Sequence, residues 1–179
     1  MNNTVISIGA FQKHVILNYV NTDYRLIVYE PNKTFFKEYD NLKEFSNIEF
    51  HQKAVASKAG RQMFYEHEGC STLYKPIPPA FLCEDEYEVE VVSMTDILEE
   101  QDKVWSMQLN CEGAEFDIIM NTDIQLLLKC YLISIEFHAF CEYFKFTEKD
   151  VKKCVDKLQL HYHVRHREGS PVYAFTRRE

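Results

Sequence analysis

Short β-branched or aromatic runs alternate along the chain with segments whose apolar residues recur at helical spacing, the pattern of βαβ units that build a mainly parallel sheet. Val5 to Ile8 predicts a buried strand, and after Gly9 the spacing of Val15, Ile16, Tyr19 and Val20 predicts a helix from about Gln12 to Val20. Arg25 to Tyr29 is a second strand. Pro31 and Asn32 then open a helix through about Asp40 with Phe35, Phe36 and Tyr39 as its buried stripe, and Ile48 to Val55 is a third strand. A flanking strand pair, Gln62 to Tyr65 and Tyr87 to Val92, encloses a long loop from Glu66 to Glu86 that carries Pro76, Pro78 and Pro79. Thr95 is expected to cap a short helix. Val104 to Leu109 follows as a strand, a helix starts near Ala114, and Tyr131 to Phe137 is another strand. A Thr147-capped helix to Leu158 leads into a terminal hairpin, Tyr162 to Arg165 and Val172 to Phe175, turning at Glu168-Gly169-Ser170-Pro171.

Composition narrows this picture without redirecting it. With 179 residues, 46% of them hydrophobic, the chain has the material for one substantial core, and residues 1–179 read as a single domain. A net charge of −8 repels a phosphate backbone, so nucleic acid is an unfavourable partner. The most basic run, Arg165 to Arg167 with Arg177 and Arg178, is short and broken by acids. Cysteines at 70, 83, 111, 130, 141 and 154 form no CxxC pair, and the start MNNTVISIG has no secretory pattern, which together fit a reducing, cytoplasmic setting. No run is long enough to predict a bilayer-spanning helix.

Ligands of open parallel sheets bind at the carboxyl ends of the strands, where successive connections leave on opposite faces. Gly9 follows the first strand and permits close approach to a helix start suited to a carboxylate; alternatively it is a plain turn. Glu30 ends the second strand 21 residues later, near the offset at which an acid meets ribose hydroxyls, although an acid before Pro31 also serves simply to begin a helix. A third polar turn, Asn110-Cys111-Glu112-Gly113-Ala114-Glu115, opens a helix after a central strand, and its bland reading is an N-cap with acids at the positive end of the helix dipole.

In order, Val5-Ile6-Ser7-Ile8-Gly9-Ala10, Val28-Tyr29-Glu30-Pro31-Asn32, His51 to Ser57, Val89 to Leu98, Glu112-Gly113-Ala114-Glu115-Phe116 and Ile135-Glu136-Phe137-His138 resemble the blocks of FkbM-type methyltransferases. The resemblance implies a Rossmann-like class I methyltransferase, an α/β fold with a mainly parallel central sheet and an antiparallel C-terminal hairpin. It also implies S-adenosylmethionine as methyl donor and O-methyl transfer to a hydroxyl acceptor, such as a small molecule or glycan. By position, Ser7, Gly9 and Ala10 lie along the methionine moiety, Glu30 holds the ribose with Asn32 beside it, Ala54, Val55 and Ser57 border the adenine, and Asn110 and Glu112 face the reacting end. Ser7 and Asn110 stand where the family carries acids, and Gln12 where it carries glycine.

A hydroxyl acceptor profits from a general base, and Glu112, Glu136 and His138 are the catalytic candidates, although a lone histidine after a strand is more often a surface or packing residue. Ser71 and Tyr74 are candidate acceptor contacts in a loop that either covers the pocket or only closes a surface hairpin. The aromatics Phe137, Phe140, Tyr143, Phe144 and Phe146 suit core and rim, with an acceptor platform as the alternative. No metal site is read: His161 and His163 share a strand face without an evident third ligand. Two other classes stay open. One is a methyltransferase-like module without activity, which the substitutions at Ser7, Gln12 and Asn110 favour; the other is a nicotinamide oxidoreductase, which the missing GxGxxG turn disfavours.

Overall fold

The computed structural model describes residues 3–10, 13–67, 70–75, 83–139 and 146–179, without the side chains of 13 and 14. Gln12, Gly69, Pro76, Pro78, Pro79, Phe140, Tyr143 and Phe144 lie outside the described residues. The first strand, β1 (Thr4–Ile8), has every residue buried, Thr4 and Ser7 included, because it is a central strand of a sheet covered on both faces. It lies between β2 (Arg25–Tyr29) and β7 (Val104–Leu109), both parallel to it. The full order is β3-β2-β1-β7-β8-β10-β9, with β3 (Ile48–His51), β8 (Cys130–Glu136), β9 (Tyr162–His166) and β10 (Val172–Arg177). Only β10 runs antiparallel, to β8 on one side and β9 on the other.

Two apolar layers sandwich this sheet. On one face Val5, Leu26 and Val28 pack with Ile16 of α1 (Lys13–Leu17), with Tyr39, and with Leu42 of a 3-10 turn (Asp40–Leu42). On the other, Ile6, Met107, Leu109, Ile133 and Ile135 pack with α3 (Met94–Glu99), α4 (Ala114–Asn121) and α6 (Glu148–Gln159). Tyr162 is fully buried, and its hydroxyl hydrogen-bonds the carbonyls of Leu127 (2.6 Å) and Cys130 (3.0 Å), tying the hairpin to the sheet's lower edge.

Several elements differ from the sequence reading. The single strand expected at Ile48 to Val55 is two: β3 ends at His51, and β4 (Ala54–Ala56) leaves to join β6 (Asp85–Ser93) and β5 (Gly60–Glu66) in a separate three-stranded sheet of order β4-β6-β5. The Lys53 ammonium at the break pairs with Glu90 of β6 at 2.6 Å, and Ala54 and Ala56 bury against Phe64 and Val91, so a partner distant in sequence redirects the chain. Ser93, not Thr95, caps α3. The backbone of Ser93 is still extended, and its Oγ accepts the Asp96 N–H at 3.0 Å, which places Thr95 in the first turn. The second helix is shorter than expected, α2 (Lys33–Lys37) followed by the 3-10 turn, and a short α5 (Ile124–Leu127), capped by Asp123, adds an element between α4 and β8. The flanking strand pair, by contrast, is present as expected, and β5 and β6 run antiparallel.

Past the strand ends the central ladder continues. Gly9 N–H donates to Tyr29 O and Asn110 N–H to Ile8 O, each at 3.0 Å. Gly9 has φ +71°, and a β-carbon placed on it would lie 1.7 Å from the Asn110 carbonyl oxygen. Close packing of two backbones therefore demands glycine here, whatever a ligand also requires. Gly9→Ala is expected to cost at least about 2 kcal/mol, from left-handed strain plus the forced separation of the two turns, as read by urea denaturation. A variant of unchanged stability would contradict this.

Candidate functional site

A cavity of about 220 Å³ opens where the connections of β1 and β7 diverge. Its floor is Ile8 of β1 with Gly9 after it, Tyr29 of β2 with Glu30 after it, Ala54 and Val55 from β4, Asn110 to Glu112 after β7, and Glu136 at the end of β8; Phe35, Phe64, Ser71 and Leu73 also line it. Glu30, Asn110, Glu112 and Glu136 are delivered by strand ends, where the backbone leaves the ladder and side chains turn outward, and Ser71 by the covering loop.

Glu30 is only 4% exposed, and its Oε1 accepts the Asn32 N–H at 2.8 Å. The rigid φ of Pro31 holds this two-residue turn. Asn32 is the cap of α2: its Oδ1 accepts the N–H groups of Thr34 (2.8 Å) and Phe35 (3.1 Å), while its Nδ2 donates to Ser71 Oγ (3.1 Å). One amide thus fixes both the helix start and the covering loop. That loop is pinned on its far side too, since Thr72, 1% exposed, pairs across to Tyr65 and donates its hydroxyl to Glu112 O at 2.7 Å while accepting the Tyr74 N–H at 3.1 Å. The roof is tied to the end of β2 and to the turn after β7.

That turn is conformationally unusual. Glu112 has φ +49° and Gly113 φ +101°, and a β-carbon on Gly113 would come within 3.0 Å of the Phe146 ring. Left-handed backbone at a non-glycine residue costs free energy and persists only where its surroundings hold it. The hold comes from Glu115, whose side chain is completely buried. Its Oε2 accepts from Gly113 N–H (2.9 Å) and Cys111 Sγ (3.6 Å), and its Oε1 from the backbone N–H of His138 (2.8 Å) and His138 Nδ1 (2.9 Å). His138 Nε2 lies 3.3 Å from Glu112 Oε1. Both ring nitrogens face carboxylate oxygens, so both carry protons. Burial acts to lower the His138 pKa, but the hydrogen bonds and charges of Glu112 and Glu115 outweigh it and push it up to about 10. Burial, with Glu115 beside it, holds the Cys111 thiol well above its ordinary value, so it stays protonated.

Of the residues singled out in the sequence, Gly9, Glu30, Ala54, Val55, Ser71, Asn110, Glu112 and Glu136 come together on the cavity wall. Ser7 and Ala10 instead line an adjoining cleft with Gln108, Ser134 and Val172, which shares Gly9, Asn110 and Glu136 with the main cavity. Asn32 lies behind the wall as a cap. Ser57 and Tyr74 face a different depression beside Asp117 and Asn121, and the Ser57 N–H is taken up by Asp117 Oδ2 at 2.8 Å. His138 sits beneath the Glu112 turn, outside the lining, where its charged ring has no lone pair with which to accept a proton. Sequence reasoning missed Glu115, Thr72, Lys53 and Phe64 as parts of the site. For Glu115 a signal existed: an acid three residues after Glu112, on the inner face of an amphipathic helix, has to be buried and partnered. Among the described residues no group of three or more ligand side chains is placed to hold a metal ion, and no helix is long and apolar enough to cross a membrane.

No protein-family model and no curated protein sequence matches the chain. Solved structures do. The methyltransferase FkbM from Methylobacillus flagellatus KT superposes with TM-score 0.58 at 12% identity over 98% of this chain and 43% of its own, so this chain spans less than half of that protein. A proposed rRNA methylase from Clostridium thermocellum superposes with TM-score 0.54 at 7% identity over 99% of this chain and 88% of its own. The likeness is one of fold. This chain has the Rossmann-like class I methyltransferase architecture, of the kind seen in FkbM.

The His138 environment generates a stability prediction. Its folded-state pKa of about 10 lies above the unfolded value of about 6.5, so its contribution is complete below pH 6.5 and is lost as pH rises toward 10. The unfolding free energy of the wild type minus that of His138→Gln is expected to fall across this window, with a slope approaching about 1.4 kcal/mol per pH unit. A flat difference would remove the imidazolium. For the roof, Thr72→Val should speed hydrogen exchange and proteolysis around residues 66–75 while lowering global stability by only about 1–2 kcal/mol; unchanged exchange there would show that the Thr72 tether does not hold the loop.

Proposed function

We propose that this chain binds S-adenosylmethionine across the ends of β4, β2, β1 and β7 and transfers its methyl group to a hydroxyl acceptor. Glu30 carries the reading. Its carboxylate, fixed by the Asn32 N–H at 2.8 Å, lines the switch-point cavity at the end of β2, where an acid can accept both hydrogens of a ribose diol. The remaining lining fits the same molecule. Ala54, Val55, Phe35 and Phe64 offer an apolar slot for a purine on one side of Glu30, and Gly9 with Asn110 leaves room for the amino-acid end on the other. Among the described lining residues the carboxylates of Glu30, Glu112 and Glu136 outnumber the cations at the wall, Lys53, itself paired with Glu90, and the His138 imidazolium behind Glu112, so the field in the cavity favours a cation such as a sulfonium.

When bound, the cofactor supplies an electrophilic methyl group on a positively charged sulfur. The protein's part is to hold the acceptor in line with it, an effect worth about 7–11 kcal/mol when orientation is good. Glu112 and Glu136 are the bases within reach of an acceptor hydroxyl; His138, already a cation, serves Glu112 and not the proton transfer. The acidic wall favours uncharged or cationic acceptors over phosphates, which agrees with the net charge of −8. Fold alone does not choose among acceptors.

Ser7 and Asn110 are neutral and lack the charge assistance that roughly doubles the strength of a hydrogen bond to an ammonium. That specific feature favours, as a second reading, a module that binds the nucleoside weakly and does not turn it over. Titration calorimetry separates the cases. The wild type is expected to bind S-adenosylmethionine and its demethylated product S-adenosylhomocysteine, and Glu30→Ala to weaken both by about 10- to 100-fold, the worth of a charge-assisted hydrogen bond. Binding without turnover over a panel of hydroxyl acceptors would select the second reading; binding of neither nucleoside would end both.

A further inference from the structure

We propose that Glu115 and His138 are positioning residues that hold the Glu112 carboxylate against the cavity wall, where it faces the positive charge of the methyl donor. The proposal rests on the reading above and assigns a device to it. Glu115 occupies an inner position of α4 among Phe116, Ile118 and Ile119, where an apolar side chain would pack without the several kcal/mol that burying a carboxylate costs. Its compensation is fourfold and specific: two contacts fix the Cys111 to Gly113 turn and two fix His138, through the histidine's backbone and Nδ1. With Nδ1 engaged, the ring plane is set and Nε2 can meet only what lies opposite, which is Glu112 Oε1 at 3.3 Å.

Glu112 is held at its other end as well, its carbonyl accepting from Thr72 Oγ1 at 2.7 Å while its backbone sits at φ +49°. A residue fixed at both ends in a strained conformation is being aimed. Its side chain, 18% exposed, borders the cavity beside Asn110 and Glu136. Two strand spacings, about 10 Å, separate the end of β7 from that of β2, a span suited to a donor whose diol rests on Glu30 and whose charged end extends toward Glu112. Without the imidazolium between them, the carboxylates of Glu112 and Glu115 would repel each other, and only Glu112, at the surface of the cavity, is free to rotate away.

A purely structural ion-pair network would affect the two nucleosides alike. S-adenosylmethionine carries a positive sulfur and S-adenosylhomocysteine a neutral one, so the ratio of their affinities reports the field at that atom. Calorimetry on the full chain is expected to show that Glu112→Gln lowers the ratio about tenfold, equivalent to about 1.4 kcal/mol. His138→Gln should lower it too, because the departure of the Glu112 carboxylate from the wall outweighs the loss of the cation behind it, and the double variant no further, the non-additivity of residues that act as a unit; a ratio raised by His138→Gln would show that Glu112 stays in place without it. Parallel losses for both nucleosides, or additive losses in the ratio, would overturn the positioning role while leaving the proposed function standing; a wild type that binds neither nucleoside would overturn both. If His138→Gln fails to fold, Glu112→Gln alone decides: an about tenfold fall in the ratio supports the aimed carboxylate, and an unchanged ratio overturns it.

Discussion

The Asn110 carbonyl oxygen lies where the β-carbon of any other residue at position 9 would be, 1.7 Å from that point, and the site is organised around this approach. It lets the turn after β7 close down on the end of β1, and the two backbone hydrogen bonds at 3.0 Å, Gly9 to Tyr29 and Asn110 to Ile8, carry the ladder one residue beyond the strands. Asn110, Glu112 and Glu30 are thereby brought to one rim. Were the turns held apart by a side chain, the cavity floor would split, and the Glu112 turn, whose left-handed backbone is held by Thr72 above and Glu115 below, would lose its footing.

Charge is the second organising theme. An acidic chain has concentrated buried or half-buried carboxylates at Glu30, Glu112, Glu115 and Glu136 around one opening, and it has answered the most deeply buried of them with a histidine cation. Low local dielectric makes such an arrangement expensive to leave incomplete and strong once complete. The same residues therefore stabilise the turn and set the field that a ligand meets. Histidine is commonly read as the base of such a site, but clamping between two carboxylates converts it into a fixed positive charge that orients its neighbour.

The small sheet β4-β6-β5 and its loop supply the cavity's ceiling. The loop is strapped at Asn32 and at Glu112, so residues far apart in sequence share control of the cavity's ceiling. Sites grafted on common scaffolds differ chiefly in such excursions.

Much was legible from the sequence because it is local. Strand identities followed from β-branched runs, the terminal hairpin from its Gly-Ser-Pro turn, and Gly9 and Glu30 from spacing along one βαβ unit, since periodicity and turn chemistry act over a few residues. The sequence likewise put Asn110, Glu112 and Glu136 at strand ends. Only the tertiary structure decided which strand ends meet, that Lys53 and Glu90 would carry Ala54–Ala56 into another sheet, that Ser57 and Tyr74 would look elsewhere, and that Glu115 and Glu112 would enclose His138. Burial and electrostatic pairing depend on residues brought together from separate parts of the chain, and a side chain's protonation state is fixed by those neighbours and not by its own identity.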